Sequence, residues 1–273
     1  MQSSISFPEM VTLGNSVHIP MIGFGTYTIK DVKVMTDVIK YAYDVGYRHI
    51  DTASSYKNER AIGKALKKNK IPREKIFITS KVWINEMGYD SALKAFEKSC
   101  KYLDTDYIDL YLIHWPTAKS METWMALERL YAEGKVKAIG VSNFTIEDLN
   151  VIVESNHIKP MIDQIEMHPG YPQIELNAYC KRHLIAVSAS APLARGAVFE
   201  DPVCREIAAS CKKSVSQIVL RWQYQLGIIS LPKSVTKERI IQNIDIFDFS
   251  LDRSEMEALS SIDGVCLFQK PKR

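Results

Sequence analysis

His49-Ile-Asp-Thr-Ala-Ser-Ser-Tyr-Lys-Asn-Glu59 places a carboxylate, Asp51, and a phenol, Tyr56, just past a short strand-like run, Tyr47 to Ile50. Two more apolar runs end in the same manner. Ile76-Phe-Ile-Thr-Ser80 stops at Lys81, and Tyr107-Ile-Asp-Leu-Tyr-Leu-Ile113 stops at His114. The intervals are 30 residues from Asp51 to Lys81 and 33 from Lys81 to His114, close to the roughly 30 residues of one strand-helix-strand unit. Three consecutive strands of a parallel barrel would deliver these side chains side by side at their C-terminal ends, where such barrels build their active sites.

Outward from this stretch, strand and helix signals alternate with short connections, which argues for parallel βα units. Val11-Thr-Leu-Gly-Asn-Ser-Val-His-Ile-Pro20 reads as a hairpin turning at Gly14-Asn15, able to plug one end of a barrel. Met21 to Thr26 is the first barrel strand, its Gly23 and Gly25 allowing something to approach the backbone closely. Further strands are expected at 47–51, 76–81, 107–113, 135–141, 161–165, 184–189 and 228–231. Helical spacing of apolar residues fills the intervals, with Thr145 as an N-cap, Thr236 opening a late helix and a last helix after Asp252. The pattern predicts an α/β fold: a single (β/α)8 TIM barrel over 1–273, with an N-terminal β-hairpin and extra C-terminal helices. The tail from Gly264 to Arg273 is polar.

A chain of 273 residues is long enough for one such barrel. With 35 basic and 32 acidic residues, the net charge of +3 is too balanced to suggest nucleic-acid or membrane partners. Five scattered cysteines without a C-x-x-C pair suggest neither a disulfide framework nor a metal site. Met1 to Met10 shows no basic start leading into an apolar run, and about 18 consecutive apolar residues occur nowhere. A cytoplasmic monomer is expected.

Asp51, Tyr56, Lys81 and His114 make sense as a set. A phenol with an ordinary pKa near 10 is a poor acid at neutral pH, and an adjacent ammonium lowers that pKa. Lys81 is expected to do this to Tyr56. A buried lysine tends to lose its proton unless a carboxylate holds it charged, which suits Asp51. His114 adds a donor able to polarise a carbonyl oxygen. Taken singly, Asp51 also suits a helix cap and Tyr56 plain packing, whereas Lys81 and His114 close apolar strands and are costly there without partners. His49 reads as a barrel-strand residue facing away from the neighbours of Asp51.

The segments Asp51-Thr-Ala-x-x-Tyr56-x-Asn-Glu59, Ser80-Lys81-Val-Trp83, Leu112-Ile-His114-Trp-Pro116 and Gly140-Val-Ser-Asn-Phe144 closely resemble signatures of the aldo-keto reductases. So do Gln164-x-Glu166-x-His-Pro169 and Leu231-Pro-Lys-Ser-Val-Thr-x-Glu-Arg239. The similarity runs from about Gly23 to Asp263 and extends to members of the 2,5-diketogluconate reductase and prostaglandin F synthase type. It implies an (α/β)8 barrel that reduces aldehydes and ketones with NADPH. The absence of a G-x-G-x-x-G fingerprint agrees with a cofactor site outside a Rossmann fold.

By that resemblance Tyr56 is the general acid, Lys81 and Asp51 its tuning pair, and His114 the group that orients the carbonyl. Ser142, Asn143 and Gln164 match positions that hold the nicotinamide carboxamide, and a hydroxyl with two amides supplies the donors and acceptors such a group needs. Asp163, beside them, should face the other way by strand alternation. Lys233, Ser234, Arg239, Gln242 and Asn243 match positions meeting the adenosine 2′-phosphate and adenine, and a helix N-terminus with cations suits an anion. Leu193, Arg195 and Gly196 resemble the loop that crosses the pyrophosphate. Ser190 departs from the family, which usually has an aromatic residue there stacking on the nicotinamide. Tyr27, Trp83 and Trp115 suggest an aromatic-lined mouth, and the short segment Trp115 to Met121 an open one.

Two other readings are distinguishable. Lys81 could instead form a Schiff base in an aldolase-like barrel. The chain could also be a cofactor-binding structural or regulatory barrel with little turnover, a reading supported only by Ser190.

Overall fold

The computed structural model describes residues 9–155 and 157–268. Residues 1–8 and 269–273, on which the readings of the N-terminal stretch and the tail partly fall, lie outside the described residues. β1 (Met10–Thr12) and β2 (His18–Pro20) form the expected antiparallel hairpin, with Val11 opposite Ile19. Then come β3 (Phe24–Gly25), α1 (Val32–Asp44), β4 (His49–Asp51), α2 (Glu59–Lys68), β5 (Phe77–Val82), α3 (Tyr89–Leu103), β6 (Ile108–Ile113), α4 (Ser120–Ala132) and β7 (Val136–Ser142). The second half runs through α5 (Ile146–Val153), β8 (Ile162–Glu166), α6 (Ile174–Arg182), β9 (Ala186–Ser190), α7 (Pro202–Cys211), α8 (Val215–Gln225), β10 (Ile229–Ser230), α9 (Lys237–Ile244) and α10 (Arg253–Ser260).

From β3 to β10 each strand pairs in parallel with the next in sequence, giving one eight-stranded sheet. The sheet curls until its edges meet. Ile22 bridges Ser230, Gly23 N donates to Ser230 O at 2.8 Å, and Gly25 N donates to Pro232 O at 3.0 Å. This is the (β/α)8 arrangement expected from the eight strand signals.

β5 and β6 are buried at every position because one face looks into the barrel and the other is covered by helices. Helix starts follow their side chains. Asp31 accepts from Val34 N at 2.8 Å, and Thr145 with Asp148, Ser214 with Gln217 and Asp252 with Glu255 form reciprocal capping boxes. Replacing such a cap by alanine costs about 1 kcal/mol. Among the described residues no helix is long and apolar enough to cross a membrane.

Gly23 and Gly25 do face a close approach, from the barrel interior. A Cβ at Gly23 would lie 2.5 Å from His49 Nδ1, and one at Gly25 2.8 Å from Leu231 O. His49 therefore corrects the expectation that it faces away from the neighbours of Asp51. Residues two apart on a strand share a face. His49 Nε2 lies 2.9 Å from Thr79 Oγ1, and Thr79 is itself two residues before Lys81. Burial, the leading cause, lowers the pKa of this imidazole to about 4.

Candidate active site

Asp51 ends β4, Lys81 lies near the end of β5, and His114 directly follows β6. In register Asp51 stands beside Thr79, and Lys81 beside Leu112. The backbone ladder thus brings the three together as their spacing predicts. Tyr56 arrives on a 3-10 turn, Ser54–Tyr56, that is tied down on both sides. Asn58 donates to Thr26 O at 2.9 Å and Ile29 O at 3.0 Å while accepting from Thr52 Oγ1 at 2.7 Å. Glu59 accepts from Ser80 Oγ at 2.6 Å, so the turn is anchored to the residue next to Lys81.

Lys81 is fully buried, and its Nζ donates to Asp51 Oδ1 at 2.9 Å, Asp51 Oδ2 at 2.8 Å and Thr52 O at 2.8 Å. Three partners use the three protons of an ammonium. Burial pulls the lysine pKa down, and the Asp51 charge and hydrogen bonds oppose that pull. The amine lies over the face of the Tyr56 ring, 5.1 Å from its centroid. Tyr56 then departs from the expectation that Lys81 lowers its pKa: burial first, and next the Asp51 charge, hold the phenol well above its ordinary value. The reason is geometric, since the Lys81 protons point at Asp51 and Thr52. His114 is pushed well below its ordinary pKa, by burial and then by the Lys81 charge. The site therefore presents a protonated phenol beside a neutral imidazole, with ring centroids 5.7 Å apart.

Ser142, the last residue of β7, stands beside Gln164 in the middle of β8, and Asn143 follows with φ +60. Their donors are occupied internally. Ser142 Oγ donates to Gln164 O at 2.8 Å, Asn143 Nδ2 to His114 O at 2.9 Å, and Gln164 Nε2 to Asp51 Oδ2 at 2.8 Å. The side-chain carbonyl oxygens of Asn143 and Gln164 accept no hydrogen bond among the described residues, and they form a pair of acceptors suited to an amide NH2 group. Asp163, at the intervening position on β8, is fully buried, and burial pushes its carboxyl well above the usual range.

Asp51, Tyr56, His114, Ser142, Asn143 and Gln164 border one cavity of about 920 Å³, and buried Lys81 and Asp163 do not. Tyr27, Trp83 and Trp115 line it near His114, with the Trp83 and His114 centroids 4.9 Å apart. Ser190, Leu193 and Arg195 line another wall. Lys233, Ser234, Arg239, Gln242 and Asn243 gather around β10 and α9. Lys237, by contrast, sits over the Tyr41 ring at 5.4 Å and does not border the cavity.

Several contributors escaped the sequence reading. Ser55 borders the cavity from an unassigned position of the Asp51–Glu59 segment. Ser214 to Ser216 reach it from the start of α8, where the Ser214-x-x-Gln217 capping pattern was the available signal. Phe268 comes from the tail, and no local signal marks it. The Glu166 carboxylate holds that segment, accepting from Leu267 N at 2.6 Å, Phe268 N at 2.8 Å and His168 Nε2 at 2.9 Å. Phe268 then carries Arg195 over its ring at 4.9 Å.

The Aldo/keto reductase family profile matches residues 21–264. Glyoxal reductase of Bacillus subtilis strain 168 is 44% identical over 259 residues, covering 94% of each chain. Among solved structures, an aldo-keto reductase from a Medee basin deep-sea metagenome library is 42% identical with a TM-score of 0.92, covering 96% of this chain and 98% of that one. A Bombyx mori aldo-keto reductase in complex with NADP is 33% identical with a TM-score of 0.88, covering 94% of each chain. A family profile spanning nearly the whole sequence and a relative of equal extent agree with the geometry, and the chain belongs to the aldo/keto reductase family of oxidoreductase enzymes.

Proposed function

We infer that the protein reduces aldehydes and ketones to alcohols with NADPH, small dicarbonyls of the glyoxal type among them. The carrying observation is one cavity bordered both by a protonated phenol and a neutral imidazole and by the cations Lys233 and Arg239. When bound, the nicotinamide supplies a hydride to the carbonyl carbon. Tyr56 gives its proton to the oxygen as alkoxide character develops. An alkoxide is more basic than a phenolate, so a phenol held protonated still serves as the acid. His114, uncharged, donates a hydrogen bond that orients the carbonyl. Lys81 and Asp51 supply a fixed charge pair beneath the phenol.

The free acceptors of Asn143 and Gln164 fit the carboxamide NH2, with Ser142 fixing Gln164 from behind. The loop of Leu193, Arg195 and Gly196 would cross the pyrophosphate, and Lys233, Ser234 and Arg239 with Gln242 and Asn243 would hold the phosphorylated adenosine end, favouring NADPH over NADH. Two related proteins support this: one is named for glyoxal reduction and the other was solved with NADP. Lys81 with three bound protons is a weak nucleophile, which weighs against the Schiff-base alternative.

The test is NADPH oxidation driven by glyoxal-type and aromatic aldehydes, with Tyr56→Phe as control. Turnover should fall by roughly 10²–10⁴ in the variant while NADPH affinity stays nearly intact. Retained turnover in Tyr56→Phe, or borohydride trapping of substrate on Lys81, would overturn the assignment.

A further inference from the structure

The turn Ser54–Tyr56 carries three hydroxyls in a row, and they go to different places. Ser54 Oγ donates to Glu86 Oε2 at 2.5 Å and is occupied there. Tyr56 and Ser55 both border the cavity. Ser55 Oγ lies 3.4 Å from His114 Nδ1, its only hydrogen-bond partner among the described residues.

The rest of His114 is held without Ser55. Its backbone N donates to Val82 O at 3.1 Å, and its carbonyl accepts from Asn143 Nδ2 at 2.9 Å. The ring lies edge-on between Tyr56 and Trp83. What remains open is which ring nitrogen carries the proton. A neutral imidazole has one N–H, and a nitrogen that accepts a hydrogen bond cannot be the one that bears it. The bond made at one nitrogen therefore sets the state of the other. Burial and the nearby Lys81 charge keep this ring neutral, so there is a tautomer to choose.

We propose that Ser55 donates its hydroxyl proton to His114 Nδ1, holding the imidazole as the Nε2–H tautomer, and so acts as a positioning residue for the group that polarises the carbonyl. The opposite direction, Nδ1–H toward the Ser55 oxygen, would leave Nε2 with a lone pair and nothing to donate. It would also leave the Ser55 proton without an acceptor among the described residues. The consequence for catalysis rests on the role given to His114 in the proposed function, whereas the tautomer itself does not.

Nitrogen-15 NMR of the imidazole rings at pH 7 reads the tautomer directly, with His114→Gln assigning the signals among the six histidines. In the wild-type protein Nε2 should give a pyrrole-type and Nδ1 a pyridine-type signal. Ser55→Ala should move both toward their average and lower kcat by roughly three- to tenfold, with cofactor KM unchanged. Ser55→Thr should restore signals and rate. A pyrrole-type Nδ1 in the wild-type protein, or identical His114 shifts with and without the hydroxyl, would overturn the proposal. Shifts that move while kcat stays constant would sustain the tautomer assignment and remove His114 from the carbonyl site.

Discussion

The Lys81 ammonium spans both carboxylate oxygens of Asp51, at 2.9 and 2.8 Å, inside a site where Lys81 has no exposed surface. With the Thr52 carbonyl as third partner, the pair is complete in itself. Its influence on Tyr56 is that of a fixed charge over the ring face and of an anchor for the strand ends. No hydrogen bond runs between the Lys81 amine and the Tyr56 hydroxyl.

Breaking this pair from one side should be costly. Asp51→Asn leaves an ammonium in a dry site without a countercharge, and loss of one partner of a buried pair typically costs about 3–5 kcal/mol. Chemical denaturation at pH 7 should register that loss. Asp51→Asn combined with Lys81→Met should recover part of it, and a single variant as stable as the wild type would show that the pair contributes nothing net.

His49 makes a second prediction, in the acid range. Its folded pKa is about 4, below the ordinary 6.5, because burial disfavours the charged ring. Between those values the unfolded chain binds a proton that the folded chain refuses. The neutral ring's contribution is therefore complete above pH 6.5 and is lost as pH falls toward 4, by about 3 kcal/mol in all. In His49→Gln the decline from pH 7 to 4 should be shallower than in the wild type. Parallel declines in denaturation midpoint would exclude His49 as its source.

Arg239 bears on cofactor choice. If it meets the 2′-phosphate, Arg239→Ala removes a charge-assisted contact and should weaken NADPH binding by roughly 10- to 100-fold while leaving NADH binding unchanged. Fluorescence titration with the two cofactors distinguishes this from general damage to the site. Equal losses for both would assign Arg239 to a part that the cofactors share.

The Glu166 carboxylate is the clasp of the tail. Glu166→Ala removes the acceptor for the amides of Leu267 and Phe268, so their hydrogen exchange should rise toward that of free chain. Amides in β6 should exchange as before. Unchanged protection at Leu267 and Phe268 would mean that the packing of Gly264 against Gly170 suffices to hold the segment.

Much of this was readable because the decisive residues end apolar runs one βα unit apart. Asp51, Lys81 and His114 had to emerge on one rim once the strands paired in order. Hydrogen-bond direction was less legible. That Lys81 needed a carboxylate partner followed from burial, but that Thr52 would take its third proton depends on a carbonyl orientation no residue type encodes. Strand alternation places His49 with Asp51, two residues apart on β4. Phe268 was beyond reach for another reason: its place is decided by a carboxylate 102 residues earlier in the chain, and the short run Val265–Phe268 carries no periodicity to announce it.

Gln164 stands on β8 and reaches Asp51 on β4, joining strands with three others between them in the sheet. Its amide nitrogen is committed to the carboxylate that balances Lys81, while its amide oxygen is one of the two acceptors proposed to hold the nicotinamide carboxamide. One rigid planar unit therefore faces two tasks. Any redesign of cofactor grip at this position would also redraw the electrostatics of proton delivery, so the two properties cannot be engineered independently through this residue.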